Sequence, residues 1–391
     1  MYYTNNCSFV KVPFLIYICE VFRLSISKQH DYYERKLDEL LKEMPDYVVK
    51  YVDAKQDVRS PLTLFNYVRD YQEFFNWLMA EGIVPCKSIK DITPGYLENL
   101  SLEEASNYFK FIARKKYKVS KNDETKKINP KTVNRHKSSL RSLFKYLTTE
   151  AELENREPYF HRNVMQKIQV KKVSETFNER AKHITEKIFI NGQDIDFLAY
   201  VKDEYEHSLS GTQKNYFKRD KERDYAILSL FLGSGIRVNE LSNLRIKDID
   251  FSAKEISVIR KGNKKDTVSV TPSSLHDLKD YLSIRHARYA GKDDENEFVF
   301  IKLYKGEPLP LTNRAIENIV YKYTKSFDKR MSPHKLRHTY ATNLAEQTGG
   351  DIPLIMSQLG HTSSDTSLLY INTSREKARK AAELLDKRRQ K

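Results

Sequence analysis

Six side chains in the second half of the chain have the types that phosphoryl transfer to a protein group demands. Arg237, Lys261, His334, Arg337, His361 and Tyr370 bring guanidinium and ammonium cations, imidazoles able to shuttle a proton, and one phenolic oxygen able to act as a nucleophile. Cations and fixed donors stabilise the charge that builds on a phosphoryl group, so such a set can work without a metal or a nucleotide cofactor. Taken singly, each residue has an ordinary structural role, since a lone Arg, His or Tyr is more often part of a surface or a core. The ordered set carries the argument.

Two nearby patterns point to other chemistries and fail. Gly233-Ser234-Gly235 follows an apolar run, Tyr225 to Leu232, but that run has the length and leucine content of a helix. Position 238 is Val where a dinucleotide loop needs a third glycine. No P-loop is present either. The glycines instead make a tight joint that presents Arg237 ahead of a helix carrying Glu240, Leu241 and Leu244. His334 and His338 have the four-residue spacing of zinc ligands, yet Lys335 stands where HExxH requires Glu, and Arg337 would put a fixed cation beside the metal. His334 and Arg337 share a helix face instead, as a phosphate-binding pair. No metal and no cofactor is expected.

These residues need elements to hold them. Ser332 and Pro333 start the helix that carries His334 to Leu344. The runs Glu255 to Arg260 and Thr267 to Thr271 predict two strands joined through Gly262 and Asn263, with Lys261 in the turn. Upstream, Asp31 to Val52 reads as a first helical stretch. Ser60 and Pro61 open a second helix whose stripe of Leu64, Tyr67, Val68, Tyr71, Phe74, Phe75 and Leu78 marks it as core. Ser101 and Glu104 form a capping box for a third. After Pro130 the apolar residues Val133, Leu140, Leu143, Phe144 and Leu147 lie opposite Lys131, Arg135, Ser138, Ser142 and Lys145. That second face consists of cations and small hydroxyls suited to a phosphate backbone. The first half is therefore read as all-helical and the second as mixed. The fold class is mainly α with a small β component (α+β).

Charge agrees with a polyanionic partner. The 391 residues carry 68 Lys and Arg against 53 Asp and Glu, a net charge of +15. Between Phe111 and Lys145 there are 12 basic residues and only two acids, Asp123 and Glu124. A charge run is often just a solvated face, and a basic face opposite a core stripe also occurs in proteins that bind no DNA, so this helix alone does not decide the matter. Hydrophobic residues make up 39% of the chain and aromatics 12%, too many core-formers for a disordered protein. Cys7, Cys19 and Cys86 form neither a disulfide framework nor a metal motif, which fits a reducing, cytoplasmic setting. The apolar residues from Phe9 to Phe22 are interrupted by Lys11, Pro13 and Glu20 and are too few to span a membrane. No membrane insertion is expected.

The domain division expected is an unassigned extension over 1–28, a helical DNA-binding domain over 29–165, and a linker over 166–186. A catalytic domain follows over 187–373, then a C-terminal helix over 374–391 with Ala378, Ala381, Ala382 and Leu385 on one stripe.

Gly235-Ile-Arg237-Val-Asn-Glu240-Leu241, Arg260-Lys261-Gly262-Asn263-Lys264, Ser332-Pro-His334-Lys-Leu-Arg337-His338-Thr339, Leu359-Gly360-His361 and Tyr370, in that order, resemble the tyrosine recombinase (phage integrase) family. The likeness is strongest to its Xer branch, with further similar stretches at Lys36 to Val49 and Glu157 to Met165. Two departures stand out: the Arg337 to His361 spacing is one residue longer, absorbed at Thr348-Gly349-Gly350, and Ile371-Asn372 follows the tyrosine where Thr-His is common. The resemblance implies that Tyr370 attacks a DNA phosphodiester to form a 3′-phosphotyrosyl link and release a 5′-hydroxyl. Arg237, Arg337 and His361 would bind the phosphate, His334 would accept the phenolic proton, Lys261 would protonate the leaving oxygen, and Glu240 would orient the site. It also implies double-stranded DNA as partner, four protomers on two duplexes with the C-terminal helix exchanged between them, and a Holliday-junction intermediate. Chromosome dimer resolution at a dif-like site, with a septal DNA translocase as a further partner, is the role implied. The alternatives are a mobile-element integrase, a type IB topoisomerase and a non-catalytic DNA-binding protein.

Overall fold

The computed structural model describes residues 26–117, 125–170, 176–260, 264–289 and 296–371, together with 383, 385 and 386. The chain divides between Ser174 and Glu175 into two compact units, each with its own core.

The first unit is built from helices α1 (Ile26–Leu41), α2 (Asp46–Lys55), α3 (Pro61–Ala80), α4 (Pro94–Glu98), α5 (Leu102–Arg114) and α6 (Pro130–Lys145). The stretch expected as one helix over Asp31 to Val52 is two. Pro45 lies between α1 and α2 with extended backbone, φ −63° and ψ 151°, because a proline offers no N–H and disfavours the helical region for the residue before it. Ser60 accepts from Thr63 N at 3.4 Å and Pro61 occupies the first turn of α3. The Ser101 and Glu104 capping box closes in both directions, at 2.7 and 3.0 Å. A two-residue antiparallel ladder, β1 (Lys116–Tyr117) with β2 (Lys126–Lys127), interrupts the helices.

The core of this unit is unusually aromatic. Tyr51, Tyr71, Phe74, Phe75, Tyr108 and Phe144 are fully buried and meet edge to face, as in Phe74 and Tyr108 at 4.8 Å between centroids. α6 buries Leu140, Leu143 and Phe144 and turns Lys131, Ser138 and Lys145 to solvent. One charge is buried beneath it. Asp70 on α3 receives Arg135 at 2.7 Å and His136 Nε2 at 3.3 Å, and burial pushes its carboxyl up to about 6 against the pull of Arg135.

The second unit contains α7 (Phe177–Thr185), α8 (Gln193–Ala199), α9 (Gly211–Ser234), α10 (Val238–Ser242), β3 (Ile249–Asp250), β4 (Glu255–Arg260) and β5 (Lys264–Ser269). These are followed by α11 (Pro272–Tyr289), β6 (Ile301–Tyr304), β7 (Glu307–Pro310), α12 (Asn313–Phe327), α13 (Pro333–Gln347), α14 (Ile352–Leu359) and α15 (Ser364–Ile371). The fold is mainly α with a small β component. β3, β4 and β5 form an antiparallel sheet in that order. Ile256 and Val258 of β4 are buried, while Glu255, Ser257 and Ile259 are not, the period-two pattern of a strand with one covered face. β5 lies three residues earlier than the run Thr267 to Thr271 suggested, with Arg260 paired to Lys264. The hairpin β6 and β7 is an addition.

α9 is the central post. Every residue from Ala226 to Ser234 is buried, which is why its second half is apolar all round. α11 and α13 pack against it. Among the described residues, no helix is long and apolar enough to cross a membrane.

Candidate active site

The site grows from two chain reversals in the second unit. The first is Gly235, which ends α9 in the left-handed region at φ 63°. A β-carbon there would collide with the Tyr340 ring, so both the backbone conformation and the close approach require glycine. Two residues later Arg237 caps α10. Its backbone N–H donates to Glu240 Oε2 at 2.9 Å, and its guanidinium donates to Glu240 Oε1 at 2.7 Å. Glu240 is buried, so the arginine is held by a carboxylate with little freedom to turn.

The second reversal is Gly360, which ends α14 at φ 58°. The Gly360 carbonyl accepts from Arg237 at 3.1 Å. Leu359 O accepts from Arg337, which also donates to Gly235 O. Carbonyls at a helix C-terminus carry partial negative charge, and here two helix ends, those of α9 and α14, receive the same guanidinium. Arg337, on the second turn of α13, is only 3% exposed. Burial and the neighbouring Arg237 bring its pKa down to about 10, still charged at neutrality. A third arginine, Arg260 at the end of β4, enters the same cluster and donates to Glu240 Oε1 at 3.3 Å and to Leu359 O at 3.0 Å. Three guanidiniums around one buried carboxylate leave the site with surplus positive charge, suited to an anion.

The same turn brings His361 over α15. Its Nδ1 lies 3.0 Å from Ser367 Oγ, and its ring is nearly parallel to that of Tyr370, 6.2 Å away. Burial, then Arg337 and Arg237, push this imidazole down to about 4. Tyr370 is 2% exposed. Burial raises its phenol to about 12, outweighing the two arginines that favour the ionised form. The phenol is protonated at neutral pH.

The structure thus brings together Arg237, Glu240, Arg337, His361 and Tyr370. His334 is exposed to solvent on one side, with its ring packed edge-on to His338 at 4.2 Å. Burial of its inner side, then Arg337, lowers its pKa. The imidazole at the Tyr370 hydroxyl is that of His338, with Nδ1 at 2.7 Å. Sequence reasoning weighed His338 only as a zinc ligand; its four-residue spacing from His334 was the available signal. Arg260 was seen only as the residue before Lys261. Lys261 itself, with Gly262 and Asn263, lies outside the described residues, as do Ala378, Ala381 and Ala382 of the C-terminal stripe and the extension up to position 25.

In the first unit, the basic face of α6 is engaged. Arg135 pairs with Asp70, Ser138 donates to Asn134 O at 3.0 Å, Ser142 meets the Tyr51 hydroxyl at 2.8 Å, and Lys145 pairs with Glu150 at 3.0 Å. Arg59, not singled out from the sequence, joins this face by donating to Ser142 at 3.4 Å and stacking over Tyr67.

Comparison with known proteins agrees with this geometry. Residues 201–377 match the phage integrase family. The chain is 39% identical over 351 residues to tyrosine recombinase XerS of Streptococcus mutans serotype c, covering 90% of this chain and 98% of the relative. It is 37% identical over 352 residues to tyrosine recombinase XerS of Lactococcus lactis subsp. lactis, with the same coverage. Among solved structures it is similar in fold to XerH site-specific recombinase bound to palindromic difH substrate, in a post-cleavage complex. That match has a TM-score of 0.56 and 21% identity over 83% of this chain and 80% of that one. A lambda integrase dimer bound to a COC′ core site matches with a TM-score of 0.52 and 13% identity, over 84% and 95% of the two chains. A site of two carbonyl-held arginines, a histidine and a buried tyrosine, on a chain with these relatives, has one family assignment: this chain belongs to the phage integrase family and is a tyrosine recombinase, which cuts and rejoins DNA through a tyrosine nucleophile.

Proposed function

We propose that the protein is a site-specific recombinase that resolves chromosome dimers at a dif-like site, with Tyr370 as its nucleophile. The observation that carries the reading is the convergence of Arg237, Arg337 and His361 on the Leu359 to His361 turn beside Tyr370. Tyr370 Oη attacks the scissile phosphorus, a 3′-phosphotyrosyl bond forms, and the bond to the 5′-oxygen breaks. The phosphodiester energy is kept in the protein–DNA link, so rejoining by another 5′-hydroxyl reverses the step.

Each residue has a distinct task. Arg237 and Arg337 bind the non-bridging oxygens, where negative charge must be stabilised in the transition state. His361 adds a donor. Its Nδ1 is engaged by Ser367, which leaves Nε2 to face the phosphate. A phenol with a pKa near 12 must lose its proton as it attacks. His338 holds the hydroxyl in the resting site, and His334, on the solvent side, accepts the proton as Oη attacks. Lys261 protonates the leaving 5′-oxygen. Glu240 keeps Arg237 aimed.

DNA is gripped in part by the α6 face of Lys131, Arg135, Ser138, Ser142 and Lys145, with Arg59 beside Ser142. Four protomers act on two duplexes through a Holliday junction, and residues 374–391 link neighbours. A DNA translocase at the division septum is a further partner, and the cytoplasm is the site of action. Support for the dimer-resolution role comes from relatives that are XerS recombinases matched over nearly their full length. The test is a plasmid with two directly repeated copies of the host's dif-like site, incubated with protein and no ATP. Resolution into two smaller circles is expected; relaxation of supercoils without resolution would favour a topoisomerase, and integration only at a mobile-element attachment site would favour an integrase.

A further inference from the structure

Arg260 is the one site arginine with no role in the reaction as set out above, and it is the most tied down. Its side chain is 8% exposed. Nε donates to Asp266 Oδ2 at 2.9 Å, NH1 to Leu359 O at 3.0 Å and Glu240 Oε1 at 3.3 Å, and NH2 to Gln358 O at 3.0 Å. One guanidinium therefore joins β5, α10 and the carbonyl end of α14. Those partners also hold the other two arginines: Glu240 Oε1 takes Arg237, and Leu359 O takes Arg337. Room for Arg260 comes from Gly360, where a β-carbon would stand 2.6 Å from its Cζ and Nε.

We propose that Arg260 is a positioning residue of the scissile-phosphate site, which aims Arg237 and Arg337 by fixing Glu240 and the Gln358 and Leu359 carbonyls. A planar fork with five donors can span these acceptors at once, whereas an ammonium cannot. Four of the five N–H donors of Arg260 are taken by protein acceptors, so it acts on the phosphate through Arg237 and Arg337. This rests on the reading of Arg237 and Arg337 as the phosphate-binding pair.

The test compares single-turnover cleavage of a normal duplex with one bearing a methylphosphonate at the scissile position, which is uncharged and needs less anion stabilisation. Arg260→Gln is expected to cut the normal duplex about 30-fold more slowly than wild type, with DNA affinity within about twofold, and its deficit is expected to shrink to about threefold on the neutral duplex. Arg260→Lys should resemble Arg260→Gln. A deficit of equal size on both duplexes, or none on the normal one, overturns the assignment. Arg237→Gln serves as reference: if its own deficit does not shrink on the neutral duplex, the phosphate-binding reading fails and the assignment of Arg260 falls with it; if only that of Arg260→Gln does not shrink, the assignment alone fails. Should Arg260→Gln not fold, Asp266→Asn, at a half-buried carboxylate, loosens the same guanidinium. It should slow cleavage of the normal duplex about threefold and show the same relief, and unchanged cleavage would overturn the proposal.

Discussion

The Tyr370 hydroxyl and His338 Nδ1 lie 2.7 Å apart, on helices α15 and α13, with both residues buried. Burial, the neighbouring His334 and nearby cations push His338 down to about 3, so the imidazole is neutral and shares a hydrogen bond with the phenol. The Tyr370 phenol is therefore protonated and held against His338.

The first prediction concerns this pair. A buried neutral hydrogen bond contributes on the order of 1 kcal/mol, and residues in direct contact do not add independently. In urea unfolding, His338→Ala and Tyr370→Phe should each destabilise the protein. The double variant should lose less than the sum by about 1 kcal/mol. Strict additivity would mean that the two groups are not coupled in solution.

The paired arginines should matter to chemistry more than to binding. Arg337→Lys keeps a charge but loses the fork that reaches both Gly235 O and Leu359 O. Single-turnover cleavage should fall about 100-fold or more while affinity for duplex DNA changes less than about threefold. Equal losses in both would place Arg337 in general binding.

The imidazoles set an acid limit. His338 and His361 have pKa values lowered to about 3 and about 4, below the 6.5 of the unfolded chain, so between those values the unfolded state binds more protons and stability rises with pH. Acidification from pH 6.5 toward 4 should therefore destabilise the fold. His361→Asn should show a shallower loss over that window in thermal melts at a series of pH values. Across pH 6.5 to 8 neither imidazole changes charge, and cleavage should show no inflection from them. A wild-type profile with a single rise centred near pH 6.5 would contradict the assigned charge states.

Arg135 and Lys131 share the α6 face but should behave differently on substitution. Arg135→Ala removes the partner of buried Asp70 and should cost about 1–3 kcal/mol in stability, a figure reduced from that of a fully buried pair because Arg135 is 40% exposed. Lys131→Ala should leave stability within about 0.5 kcal/mol. It should also lower the slope of log affinity against log salt by about one contact. An unchanged slope would remove Lys131 from the DNA interface.

Much of this architecture is legible in local sequence, and the exceptions have a common cause. The capping box at Ser101 and the Ser60-Pro61 start act within one helical turn, so their residues reveal them directly. The break at Pro45 was legible too, but the surrounding apolar residues continue the helical period across it. The β6 and β7 hairpin carries two prolines, Pro308 and Pro310, and little strand patterning. In the site, residue type and the family resemblance single out Arg237, Arg337, His361 and Tyr370, and the fold gathers them. The pairings of His338 with Tyr370, 32 positions apart, and of Arg260 with Leu359, 99 apart, come from packing of separate elements and leave no periodic trace.

The central claim is that Tyr370 becomes covalently joined to DNA. Wild type and Tyr370→Phe are incubated with a nicked duplex carrying the host's dif-like site, and the products are separated on a denaturing gel. A protein–DNA band that survives SDS, formed by wild type and absent with Tyr370→Phe although both bind the duplex, is the predicted result. A band of equal strength with both proteins would mean that another residue is the nucleophile, and no band with either, on a duplex that both bind, would contradict the covalent mechanism.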